Sequence, residues 1–173
     1  MYTNQTGTFP HVSNQGNRYM MVLAHIDSDS IWVKPMNNRT EGGMMLARRQ
    51  ALKQLHAVGI IPKRQVLDNE TSMAYRQEIM ETGMTYQLVP PDDHRRNIAE
   101  KMIQAWKDQF ISICGGFSAQ FPMHLWCRLI PQAEKQLLLL RQTNINLKIR
   151  LSLTSTARMI ITRNCFSPSA WKP

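Results

Sequence analysis

Tyr19-Met20-Met21-Val22-Leu23-Ala24, a turn at Asp27-Ser28-Asp29 and the run Ser30-Ile31-Trp32-Val33-Lys34-Pro35 read together as a β-hairpin. The first arm is apolar throughout, as a strand buried on both faces must be. Gly16-Asn17 marks a turn just before it, and residues 1–36 as a whole read as strands. Downstream the period changes. Thr40-Glu41 opens a helical stretch through Met44, Met45, Ala47, Leu52, Leu55 and Ala57, closed by Gly59 with Pro62 beyond. A short strand, Gln65-Val66-Leu67, ends on Asp68. Residues 71–82 are helical and stop at Gly83; Met84–Val89 alternates as a strand and halts at Pro90-Pro91. A polar loop, 92–97, leads into a helix from Ile98 to about Cys114, which Gly115-Gly116 breaks. A last helix is predicted from Pro122 to Arg141. Strands first and helical crossovers afterwards predict an α/β fold: three antiparallel strands extended by parallel ones into a mixed five-stranded sheet flanked by helices.

The bulk composition bounds the function without choosing it. A chain of 173 residues, 43% hydrophobic and 19% charged, is long enough for one domain with a real core. No apolar run approaches the length of a membrane span, and the amino terminus is polar rather than signal-like. The expectation is an intracellular protein, nuclear or cytoplasmic, neither secreted nor membrane-bound. Cys114, Cys127 and Cys165 lie far apart, which suits a reducing compartment and gives no structural zinc pattern. A net charge of +9 points to a polyanionic partner or to a basic, solvated surface. Four of the basic residues, Arg150, Arg158, Arg163 and Lys172, fall in an acid-free terminal stretch. Without them about half of the excess remains, so the tail inflates the argument.

Chemistry is carried by acids at element ends. Asp68 stands where a buried parallel strand emerges, the place where open α/β sheets bind ligands. Glu100 occupies the first turn of the long helix, in which Ala99, Met102, Ile103, Trp106, Phe110 and Ile113 form the core stripe. Glu100, Gln104 and Lys107 follow at i, i+4 and i+7 on the border of that stripe. A carboxylate, an amide and a cation on one ridge suit a groove for metal and phosphate. They equally suit a solvated helix edge whose first-turn Glu answers the helix dipole.

Four stretches, in order and at their spacing, resemble the catalytic core of copia-type retrotransposon integrases, relatives of the retroviral enzymes. Tyr2-Thr3-Asn4-Gln5-Thr6-Gly7 resembles the segment with the first acid of the family, and Leu67-Asp68-Asn69-Glu70 the second. Leu88-Val89-Pro90-Pro91-Asp92-Asp93-His94-Arg95-Arg96-Asn97-Ile98-Ala99-Glu100 resembles the loop and helix that deliver the third. The strand pair 19–36 matches the hairpin between the first two. The gap between Asp68 and Glu100 is shorter than is usual in the family.

The resemblance implies a ribonuclease-H-like fold over residues 1–141 and a polynucleotidyl transferase that joins DNA ends to a second DNA. It implies Asn4, Asp68 and Glu100 as the catalytic positions, with Asp68 and Glu100 as ligands of Mg²⁺ or Mn²⁺. Both displacement steps of such enzymes use two divalent ions, and hard ions of this kind prefer carboxylate oxygens. The first acid bridges the two ions; here it is the neutral Asn4, so the resemblance implies an impaired enzyme. Asp27 and Asp29, at the far end of the Tyr19 strand, are the weaker candidates for the lost charge. Lys107, Gln104, Arg95 and Arg96 are the implied DNA contacts, and an active relative works as a homo-oligomer. His94 reads as loop decoration, and His25, His56 and His124 as structural.

The family's amino-terminal His-His-Cys-Cys zinc module is absent from this sequence. Residues 142–173 do not match the family and read as an atypical basic tail. A shifted reading frame over Arg150–Asn164 allows a continuation like that of relatives, so a frameshifted, poorly ordered tail is expected; a basic DNA-binding arm is the rival. Two alternatives stand beside the integrase reading. One is a domesticated, non-enzymatic module that binds nucleic acid or protein on the same fold. The other is a ribonuclease H or Holliday-junction nuclease.

Overall fold

The computed structural model describes residues 1–67, 71–89, 98–118 and 120–140. Asp68, the loop with Arg95 and Arg96, and the tail from 141 onward lie outside the described residues. The five strands are β1 (Tyr2–Gln5), β2 (Tyr19–His25), β3 (Ser30–Met36), β4 (Arg64–Leu67) and β5 (Thr85–Leu88). The helices are α1 (Glu41–Ala57), α2 (Met73–Glu81), α3 (Ile98–Gly115) and α4 (Ile130–Leu140). The sheet order is β3-β2-β1-β4-β5: β3, β2 and β1 are antiparallel, while β4 and β5 extend β1 in parallel. The expected mixed five-stranded α/β sheet is therefore the observed one.

Local chemistry explains most of the boundaries. Thr40 caps α1 by accepting from the Gly43 N–H, and Ser72 caps α2 through the Tyr75 N–H. Gly59 and Gly83, at φ +79 and +75, supply the left-handed residues just after those helices. Between β1 and β2 the chain is a loop rather than further strand; Ser13 Oγ accepts from the N–H groups of Asn17 and Gln15 and so ties it. The expected helix 122–141 is split into a 3₁₀ segment, Met123–Leu129, followed by α4. Pro131 is the reason. Its ring would clash with the carbonyl four residues earlier and it has no N–H to give, so it fits only the first turn of a new helix.

Two faces of the sheet hold different cores. On one, Met20, Val22, Ala24, Ile31 and Val33 meet Met102, Trp106, Phe110 and Trp126 from α3 and the 3₁₀ segment, with Ala133 and Leu137 from α4. Trp106 is fully buried and stacks on Phe110 at 4.7 Å. On the other, Met21, Leu23 and Met36 meet Ala47 and Ala51 of α1. A buried polar network crosses this second face. Arg48, with 0% exposure, donates from Nε to Gln65 Oε1 (2.9 Å) and from its terminal nitrogens to Glu78 Oε1 (3.5 Å) and Thr82 Oγ1 (2.9 Å). Gln65 in turn donates to Thr3 Oγ1 (3.0 Å) and the Tyr75 hydroxyl (3.3 Å). Burial lowers Arg48 from its ordinary value, opposed by Tyr75 and Glu78, and burial raises Tyr75.

The β3 edge is covered. Val33 N–H donates to Glu134 of α4, so its outward donor is not left open for another strand. Pro35, two residues on, has its nitrogen on that same outward side, where a missing N–H costs no ladder bond.

Two predictions follow from these buried groups. Arg48→Met leaves Glu78 paired with the more exposed Arg49 but takes the donor from buried Gln65 Oε1, and should cost about 1–3 kcal/mol in urea unfolding. Adding Glu78→Leu should return part of that loss; a single substitution that costs nothing would show that the ion pair is idle. Burial also raises the Glu134 carboxyl from its ordinary 4.5, with Lys34 and the Val33 N–H opposing. A folded-state value above the unfolded one gives stability that is full below 4.5 and is lost as pH rises through the folded value. Glu134→Gln keeps an acceptor without the titration. Its melting temperature relative to the native chain should therefore climb as pH rises above 4.5. A constant difference across that range would contradict a buried titrating carboxyl.

Candidate metal and nucleic-acid site

One end of the sheet collects the site positions. It is formed by the C-terminal ends of β1, β4 and β5, the start of β2 and the end of β3. Asn4 lies near the end of β1, directly opposite Val22. Side chains alternate along a strand, and cross-strand partners share a face. Tyr2 and Val22 both belong to the core packed under α3, so Asn4 projects on the α3 face while Thr3 turns to the Gln65 network. Asn4 is half-buried, and its Oδ1 accepts from the Gln5 N–H at 2.7 Å. That oxygen is its only plausible metal donor. It is neutral and already engaged.

The third position is set by α3, which packs across β1 and β2. Met102, Ile103, Trp106, Phe110 and Ile113 are buried, as their spacing predicts. Glu100 and Gln104 are exposed, and Lys107 is half-buried. Gln104 Nε2 donates to Asp108 Oδ1 at 2.8 Å. Its amide is thus spent along the helix, and the ridge expected to meet phosphate carries an acid that sequence reading passed over. The i, i+4 spacing of Gln104 and Asp108 was the available signal. Asn4 and Glu100 belong to elements that pack together; Asp68, Arg95 and Arg96 lie outside the described residues.

Asp27 and Asp29, the weaker candidates from sequence, lie away from Asn4. Both sit in the β2–β3 turn, at the opposite end of the sheet from Asn4. Asp27 pairs at 3.8 Å with His25, whose Nδ1 lies 2.8 Å from Ser28 Oγ. His25 is buried, and burial first, then the nearby N-terminal ammonium, lowers its pKa, while Asp27 opposes. His56 and His124 are exposed.

The donor set can be weighed against a divalent-ion pair. Among the described residues no group of three or more His, Cys, Asp or Glu could hold a metal ion. Asn4 and Glu100 bring one carboxylate between them, and Asp68 adds one by sequence. Two-ion chemistry relies on a charged oxygen pair shared by both ions. Asn4 offers a single neutral oxygen, so the residues present do not fit two ions.

The sequence also passed over Arg39, which follows β3 at this same end of the sheet. It stands in the polar turn Asn37-Asn38-Arg39-Thr40, which has no periodicity to mark one residue from another.

No protein-family model matches the chain, and no curated protein matches it. Solved structures do. A chain of the simian T-cell lymphotropic virus intasome, determined in complex with the PP2A regulatory subunit B56 gamma, is 14% identical with a TM-score of 0.65. The match covers 88% of this chain and 52% of that one, so this chain spans about half its length. The HTLV-2 integrase catalytic core domain, in a dimeric form with magnesium, is 13% identical over 87% of this chain and 93% of that one, TM-score 0.62. The BIV integrase catalytic core domain is 13% identical over 92% of this chain and 96% of that one, TM-score 0.59. At such identities the likeness speaks for the fold, and the fold is the ribonuclease-H-like one of retroviral integrase catalytic cores.

Proposed function

We propose that residues 1–141 are the catalytic core of a copia-type retrotransposon integrase that binds DNA but has lost strand transfer. The observation that carries the reading is the residue at the end of β1, on the face covered by α3. The resemblance implies a bridging carboxylate there, and this chain has Asn4 with its oxygen bonded to the Gln5 N–H. Support for the copia-type assignment is the ordered set of stretches around Asn4, Asp68 and Pro90–Glu100.

In this reading Asp68 and Glu100 retain weak affinity for one Mg²⁺ or Mn²⁺, which when bound would polarise a phosphate oxygen. Lys107, Arg95 and Arg96 contact DNA phosphates, and Gln104 is held by Asp108. The tail 142–173 is a frameshifted extension that adds basic charge. No helix among the described residues is long and apolar enough to cross a membrane. A second reading is favoured by the same neutral Asn4: a domesticated module that keeps the fold for binding nucleic acid and performs no chemistry.

Metal affinity tests the first reading. A carboxylate added a few Å from the ion is worth ~1–4 kcal/mol at a partly exposed site. Calorimetric titration with Mn²⁺ should therefore show Asn4→Asp binding at least about fivefold tighter than the native chain. Asp68→Asn should bind more weakly than either. Equal affinity in all three proteins would remove Asn4 from any metal site.

DNA binding tests both readings. Affinity for a duplex should fall steeply with salt, with a log–log slope of about −0.9 for each phosphate neutralised. Ending the chain before Arg150 removes four basic residues and should weaken binding while leaving the thermal transition in place. Loss of that transition would make the tail structural and refute the frameshift.

A further inference from the structure

We infer that Arg39 is a DNA-phosphate contact at the site end of the sheet, presented ready-made by β1 and β2; this rests on the DNA-binding reading above. Arg39 follows β3, whose last residue pairs with Tyr19 at the start of β2. Its guanidinium donates from a terminal nitrogen to the carbonyl of Thr6, two residues beyond Asn4. The same group lies over the Tyr19 ring, 5.1 Å from its centroid. A carbonyl on one edge and a ring against one face fix the position and tilt of the fork.

These two contacts hold the group without neutralising it. Among the described residues no carboxylate pairs with Arg39, whereas Arg48 and Arg49 both pair with Glu78. Glu41, the carboxylate nearest in sequence, accepts instead from the Ser72 hydroxyl at the start of α2. Arg39 is also exposed. An unpaired guanidinium that is already oriented loses little side-chain entropy on meeting a phosphate, and its remaining N–H groups match two phosphate oxygens. Arg18, exposed in the residue just before β2, adds a second positive charge at this end. The lost carboxylate at position 4 points the same way. With Asn4 neutral, an arginine bonded to the carbonyl two residues past it faces less competing negative charge, which favours a phosphodiester over a metal ion.

The partner is duplex DNA read through its backbone, so the contact has a defined salt signature. One lost phosphate contact changes the log–log slope by about 0.9, and that is roughly eightfold in affinity at 0.1 M salt relative to 1 M. Fluorescence anisotropy of a labelled duplex with the full chain, at several salt concentrations, reads both quantities. Arg39→Ala should show the smaller slope and the roughly eightfold weaker binding at low salt. Lys63→Ala, at the opposite end of the sheet before β4, should change binding less than Arg39→Ala does. An equal loss from both variants, or none from Arg39→Ala, would overturn the contact. Should Arg39→Ala fail to fold, the side-chain Nε–H resonance of Arg39 in the unsubstituted chain decides. It should shift on titration with duplex, and an unmoved signal at saturation refutes the proposal. A chain that binds no duplex at any salt overturns the DNA reading itself, and Arg39 with it.

Discussion

A guanidinium taken wholly out of water must find partners for its N–H groups, and Arg48 finds three of them on two other elements and a helix cap. From α1 it reaches Gln65 on β4, Glu78 on α2 and Thr82 just past α2. Gln65 passes the connection on to Thr3 on β1. The parallel pairing of β1 with β4 is short, with Tyr2 opposite Val66 and a bond from the Val66 N–H to the Met1 carbonyl. The polar network is what stiffens that junction from one face. Each member has a poor alternative, because a buried amide or hydroxyl left unpaired costs ~1–3 kcal/mol. The arrangement is also imperfect: Glu78 Oε2 is buried with no hydrogen-bond partner among the described residues.

The junction matters because β1 and β4 are the strands that run toward the site. Thr3 and Gln65 anchor them from the α1 face, leaving Asn4, the next residue on β1, to project on the α3 face. α3 is in turn held by its own aromatic stripe, with Trp106 against Phe110 and Trp126 behind. Position 4 and Glu100 therefore sit on two rigid pieces bound to the same core. Such a frame holds side chains in place whether or not they have the charge a metal needs. Here the frame is intact, and position 4 is the neutral Asn4. Fold and activity are separable for that reason: the core depends on apolar area, and the chemistry depends on a few oxygens.

Charged and neutral groups stand together at that end of the sheet. Asn4 adds no charge, Glu41 is engaged by Ser72, and Arg39 is held open by a carbonyl and a ring. Against this, Asp108 beside Gln104 puts a negative charge on the α3 ridge.

Much of this was legible in the residues themselves. The hairpin 19–36 declares itself because strands buried on both faces must be continuously apolar. α1 and α2 declare their ends because Thr40, Ser72, Gly59 and Gly83 answer local backbone needs that involve no distant partner. The core stripe of α3 follows from the 3.6-residue period, and the substitution at position 4 is a matter of identity alone. Other features required the tertiary structure. Arg48 looks like any basic residue on an amphipathic helix until β4 and α2 close over it. Glu134 becomes an edge cap only when α4 lies beside β3, and Arg39 becomes an oriented cation only when β1 and β2 meet around it. Pro131 is the intermediate case: the break was local, yet the apolar pattern across 122–141 hid it. Short-range periodicity and capping are fixed by neighbours in the chain, so sequence determined the elements and their order. Which polar side chains are buried, paired or left free depends on contacts between residues far apart in sequence, and only the packed structure decided those.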